Sequence, residues 1–351
     1  MHKRLVLLFA VLALAGCVED DAQPTTAAPE PAADTLAAQV LAAAPEMAYD
    51  ADEAIAWWEH ISTAYPKHDS WTPANDDLRD HLVSELEAIG MEVEVRSYQA
   101  LPRDPAEPPV ATPVTEIDTI IATKTGTGQT GDGPEHRIGL VSHYDTQAAT
   151  VHGAYDDKSG VAAQFHICKA LAQVPMNKTL ACIFFDAEEQ GLVASARYVE
   201  DIQDETDDYV YDQVLGYDMT GINWPGHDWK MYMMTGPADH VPWLVALGQE
   251  VMHRILEYPE SGVEVLDVHD RNSDERRFKE AGIPIYRFAG GRNAADYPQY
   301  HMPMDTVEFV YDFAGSKANF QAGFSTIIEA SYHTILVLDA FSPETLQAAY
   351  G

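Results

Sequence analysis

The chain has 351 residues, 46% of them hydrophobic, enough for a folded unit that buries roughly three quarters of its unfolded surface. Its 56 Asp and Glu outweigh 21 Lys and Arg, giving a formal charge of −35. The sequence offers no Lys/Arg cluster to relieve that excess, so phosphate backbones are repelled and nucleic-acid binding is excluded.

In chain order, His2, Lys3 and Arg4 precede an apolar run from Leu5 to Ala15. Crossing a bilayer takes roughly 20 residues, so this run is too short for a span and reads as a signal peptide over residues 1–16. It closes with Leu14-Ala15-Gly16-Cys17, which resembles the bacterial lipobox. The expectation is a mature chain beginning at a lipidated Cys17 and anchored by its acyl chains to the membrane, on the periplasmic side of the cell envelope. Val18 and Glu19, with no aspartate after the cysteine, favour the outer membrane. A plain secretory signal that happens to contain a cysteine is the alternative. Residues 17–45, rich in Ala, Pro, Thr and acids with nothing to bury apart from a short Ala/Leu stretch around Leu36–Ala44, read as a tether, and residues 46–351 as one catalytic domain.

Within that domain, Leu78, Leu82, Val83, Leu86 and Ile89 recur at helical spacing over Asp76–Gly90, and Met91–Val95 then alternates as a strand. Val114–Thr123 reads as a strand, Gly126–Gly133 as a turn and Arg137–Ser142 as a buried strand. Ser159–Ala172 (helix), Thr179–Phe185 (strand), Gly191–Val199 (helix), then Gln213–Tyr217 and Lys230–Met234 (strands) continue the alternation. His240–Leu256 (helix), Ile283–Phe288 (strand) and a long helix over Ala314–Leu338 complete it. Strands separated by helices imply an α/β fold, a three-layer α/β/α unit whose mixed central sheet is mostly parallel. Cys168 and Cys182, on a predicted helix and the next strand, could pair in an oxidising compartment or simply fill the core.

The chemistry sits where strands run out. In Ser142-His143-Tyr144-Asp145, His143 and Asp145 leave the same face of an extended chain, so one can ligate a metal while the other orients it. A surface pair would look the same. Gly153-Ala154-Tyr155-Asp156-Asp157-Lys158-Ser159-Gly160 sets two acids before a helix whose cap needs one. Phe185-Asp186-Ala187-Glu188-Glu189 crowds three acids into four positions after an apolar strand, a repulsion that a cation or a shared proton would relieve and that a solvated acidic loop would also explain. Asp218 follows another strand, and Tyr300-His301-Met302-Pro303-Met304-Asp305-Thr306 completes the set.

Together, in this order, these segments resemble the co-catalytic di-zinc aminopeptidase family, related to glutamate carboxypeptidase and glutaminyl cyclase, from about Asp50 to the C-terminus. The resemblance implies a zinc exopeptidase fold and two Zn²⁺ per chain, acting on peptide substrates with a free N-terminus. It makes His143 and Asp218 ligands of one zinc, Glu189 and His301 ligands of the other, Asp156 the bridge, and Glu188 the general base. It also implies a cis peptide between Asp156 and Asp157. Three carboxylates and two imidazoles suit two zinc-type ions independently of any family. Tyr300 resembles the phenol that some members aim at the developing oxyanion, and could equally be a packing aromatic.

One departure stands out. Members commonly carry Ser-Asp-His before a Phe, whereas this chain reads Ser273-Asp274-Glu275-Arg276-Arg277-Phe278. That histidine is usually not a zinc ligand, so the change leaves the metal set intact and unsettles the substrate loop. Three rivals share the resemblance. A lid-bearing metallo-carboxypeptidase lacks room for its insertion between Asp218 and His301. A glutaminyl cyclase typically uses one zinc. A receptor-like homologue would have lost ligands or the base, and all are present here.

Overall fold

The structure is a computed structural model that describes residues 35–100, 115–128, 133–204, 208–236, 241–267 and 272–351. The expected signal peptide, Cys17 and the tether as far as residue 34 lie outside the described residues. No helix among the described residues is long and apolar enough to cross a membrane.

Three helices lead in: α1 (Leu36–Ala42), α2 (Ala51–Ala64) and α3 (Pro73–Ala88). Side chains of Thr35, Asp50 and Thr72 cap them by accepting amides of the first turn, and Pro73 starts α3 where a missing N–H costs nothing. Strands β1 (Glu92–Ala100), β2 (Thr115–Lys124) and β3 (Glu135–His143) follow, then α4 (Lys158–Ala172), β4 (Thr179–Phe185) and α5 (Val193–Asp204). Next come β5 (Tyr209–Tyr217), β6 (Met231–Gly236) and α6 (Pro242–Gln249), which runs on into a π-helical turn over Glu250–Ile255. The chain ends with β7 (Val263–Leu266), α7 (Glu275–Glu280), β8 (Ile285–Gly290), α8 (Val307–Phe313), α9 (Lys317–Ala340) and α10 (Pro343–Tyr350).

The eight strands form one sheet in the order β1-β2-β4-β3-β5-β8-β6-β7. Its centre, β4-β3-β5-β8, is parallel, and the antiparallel pairs are β1–β2, β2–β4 and β8–β6. All seven residues of β4 are buried, as a strand covered on both faces requires. Ile183, Phe185, Val141 and Val214 pack with α5 and Phe278 of α7 on one face, while Leu140, Cys182, Phe184 and Leu215 join the larger core on the other, built from helices that include α2, α4 and α9. The three-layer α/β/α fold with a mostly parallel mixed sheet is therefore as expected. Cys168 of α4 and Cys182 of β4 are disulfide-bonded, fixing that helix to the central strand beneath it.

Two differences have local causes. The long C-terminal helix was expected to open at Ala314; instead Gly315, at φ 85°, ends α8, and Ser316 caps α9 through the Asn319 amide. The stretch read as tether contributes α1, whose fully buried Ala37 joins the main core and whose Ala37 amide donates to the Tyr350 hydroxyl at 3.1 Å. The packed unit thus begins by Thr35 and not at residue 46.

Candidate metal centre

Every candidate ligand hangs from the C-terminal edge of the parallel strands, where α/β sites lie. His143 ends β3, Glu188 and Glu189 follow β4, Asp218 follows β5, and Asp156 precedes α4. His301 comes from the loop between β8 and α8. Two groups form with metal-holding geometry: His143, Asp156 and Asp218, and Asp156, Glu189 and His301, with candidate ligand atoms within 4.8 Å of one another in each. Asp156 belongs to both. His143 Nε2 lies 3.5 Å from Asp156 Oδ1, while His301 Nε2 lies 3.4 Å from Asp156 Oδ2 and 3.1 Å from Glu189 Oε2.

Asp145 stands behind this cluster, fully buried. His143 Nδ1 is hydrogen-bonded to the Asp145 backbone carbonyl at 3.1 Å and lies 3.3 Å from its carboxylate Oδ1, which turns Nε2 toward Asp156. The same carboxylate accepts the amides of Glu188 at 3.0 Å and Glu189 at 3.2 Å, so one residue orients the imidazole and holds the acidic loop. Asp157 caps α4 through the Gly160 amide at 2.9 Å and also accepts the Met219 amide at 3.0 Å, tying the start of α4 to the end of β5. The peptide joining Asp156 to Asp157 is cis. Asp305 accepts the Tyr155 and Asp156 amides, each at 3.0 Å, and the Tyr297 hydroxyl at 2.8 Å, which fixes the backbone of the shared ligand.

The carboxylates crowd one another, and protonation reflects it. Burial and the neighbouring Glu189 push Asp156 up to about 6. Burial likewise raises Glu188 well above the usual carboxylate range, against the pull of His143 and reinforced by Glu189. Burial alone would lower His143, yet Glu188 and Asp145 hold it well above the usual imidazole value. Asp156 Oδ2 and Glu189 Oε1 are buried and accept no hydrogen bond, a costly state that a cation removes.

These groups open into a cavity of about 510 Å³, lined by the five candidate ligands together with Glu188 and Tyr300. The Tyr300 ring stacks on His301 with centroids 3.7 Å apart, and burial keeps its phenol protonated. All eight residues singled out in the sequence are thus gathered here: seven line the cavity, and Asp145 supports it from behind. Arg287 of β8, which also lines it, was missed, as were Asn293 and Asp296 of the following loop. A single arginine inside the apolar strand Ile285–Gly290 was the available signal for Arg287.

A family model described as Peptidase family M28 matches residues 120–321, more than half of the chain. Among curated proteins, Aminopeptidase YwaD of Bacillus subtilis is 27% identical over 203 residues, a match covering 56% of this chain and 40% of the relative, so the chain spans about two fifths of that protein's length. Among solved structures, BSAP, a zinc aminopeptidase from Bacillus subtilis, superposes with a TM-score of 0.65 at 16% identity, covering 82% of this chain and 95% of that one. A glutaminyl cyclase from Fimbriiglobus ruber gives 0.62 at 18% identity, covering 84% and 97%. At such identities these structures share the fold.

Proposed function

The chain belongs to peptidase family M28, and from that premise we propose that it is a zinc-dependent exopeptidase removing N-terminal residues from peptides. The observation that carries this reading is a pair of three-residue metal groups sharing Asp156, with Glu188 lining the same cavity outside both groups. The donor set fits two zinc ions: His143 and Asp218 for one, Glu189 and His301 for the other, Asp156 for both. Asp156 Oδ2 and Glu189 Oε1, buried without hydrogen bonds, are acceptors whose burial a bound cation would offset. The zinc aminopeptidase BSAP, sharing the fold over 95% of its length, supports the choice of metal.

When bound, two zinc ions held by these residues would supply Lewis-acid polarisation of the scissile carbonyl and would acidify the attacking water. Glu188 takes the proton of the attacking water and passes it to the leaving amine, base first and acid second. Asp145 keeps the His143 tautomer and the Glu188–Glu189 loop in place throughout. Tyr300, a protonated phenol beside His301, donates to the carbonyl oxygen as negative charge builds on it.

From the lipobox-like Leu14–Cys17 we further propose an enzyme anchored by its lipidated Cys17 to the periplasmic side of a bacterial cell envelope, on the outer membrane; Cys17→Ala is expected to release it into the soluble fraction on cell fractionation. The glutaminyl cyclase likeness favours one second reading, an acyl transfer that releases ammonia. Zinc per chain, measured beside hydrolysis of aminoacyl-anilides and cyclisation of N-terminal glutaminyl peptides, separates the two. Two zincs with anilide release are expected; one zinc with ammonia release would make it a cyclase, and bound zinc with neither activity would overturn both.

A further inference from the structure

Where the resembling family commonly carries a histidine, this chain carries Glu275, and the structure gives that carboxylate a partner. Glu275 opens α7 and Arg287 sits in β8; each side chain is 1% exposed. One terminal nitrogen of Arg287 meets Glu275 Oε1 at 2.8 Å. The other donates to the backbone carbonyl of Asp218 at 3.0 Å and lies 3.0 Å from Asp218 Oδ2. A planar guanidinium therefore spans Glu275 and a candidate zinc ligand, gripping the ligand by main chain and side chain at once. β5 is shaped to admit this arrangement: a Cβ on Gly216, two residues before Asp218, would stand 2.6 Å from Glu275 Oε2.

Resting on the di-zinc reading above, we infer that Arg287 and Glu275 are positioning residues for the zinc held by His143 and Asp218. With Oδ2 of Asp218 held at 3.0 Å by Arg287, the guanidinium sets the direction in which this carboxylate would ligate. Arg287 also withdraws charge from the ligand, and Glu275 returns part of it by sharing the same cation. A buried arginine that faced Asp218 alone would compete with the metal for the carboxylate; Glu275 limits that competition. The Glu189–His301 side has no such link to Arg287 among the described contacts, so the pair acts on one metal of the two.

The test is titration of metal-free protein with Zn²⁺ against a chromophoric chelator, resolving both equivalents for wild type, Glu275→Gln and the paired Arg287→Met/Glu275→Met. Replacing both partners of a buried ion pair with apolar groups of similar volume generally preserves folding, and thermal unfolding of each metal-free form checks that it does. In both variants one equivalent is expected to bind about 10- to 100-fold more weakly while the other stays within about threefold of wild type. Two equivalents at wild-type affinity in the folded variants, or equal weakening of both, would overturn the inference. Wild-type protein taking up fewer than two equivalents would instead overturn the di-zinc reading, and this inference with it.

Discussion

Glu188 and Glu189 are adjacent yet differ in what they face. Glu189 Oε2 lies 3.1 Å from His301 and accepts from Gln147 at 3.0 Å, within a metal group; Glu188 belongs to neither group and opens onto the cavity. Glu188→Gln is accordingly expected to keep full zinc content and lose at least about 100-fold in kcat, the scale of a missing general base. Glu189→Ala should lose zinc instead. Undiminished turnover in metal-replete Glu188→Gln would remove the base assignment. This pair was legible in the sequence because acids crowded after an apolar strand have few inexpensive explanations. Arg287 was not: its partners Glu275 and Asp218 lie on other elements, and pairing over such separations exists only once β5 and β8 are neighbours. Asp305 lies within the Tyr300–Thr306 segment, but its grip on the Tyr155 and Asp156 amides depends on a loop closing from 149 positions away.

At the scale of elements, most strongly periodic or apolar pieces were readable, whereas α2, although 14 residues long, and several of the shortest elements were not. α3, α4, β3, β4 and α9 carry their own periodicity or capping, whereas β7 has four residues, α7 six and α8 seven, too few for a pattern to emerge before packing selects it. The start of α4 shows how an element delivers a ligand. Gly160 meets the end of β5 so closely that a Cβ there would lie 2.4 Å from Asp157 Oδ1 and 2.6 Å from the Tyr217 carbonyl. Gly160→Ala must therefore push α4 away from β5, with Asp156 and Asp157 attached to it. The expected result is destabilisation of about 1–3 kcal/mol in chemical denaturation together with weaker zinc binding. Wild-type stability and zinc affinity would mean that the contact is soft and that Asp157, not the glycine, sets the spacing.

Across the whole molecule, a chain of formal charge −35 concentrates buried acids at one edge of its sheet, and the fold tolerates them on terms that depend on pH and metal. Asp156 illustrates the sign. Its folded value of about 6 lies above the ordinary 3.8, so metal-free protein is favoured by protonation of this group. That contribution is complete below about pH 4 and is lost as pH rises through about 6. Glu188, raised by burial, pulls the same way. Zinc bound at the proposed site would reverse the dependence, because its ligands bind deprotonated and the ion would bring positive charge to the cluster. Binding preferentially to the folded state, it would also add stability by mass action. Thermal unfolding with chelator and with excess zinc, compared from pH 4.5 to 7.5, is thus expected to give a gap in Tm that widens with pH across the range in which Asp156 ionises. A gap that stays constant or narrows would mean that repulsion among these carboxylates is relieved within the protein, and that the metal's contribution to stability comes from elsewhere.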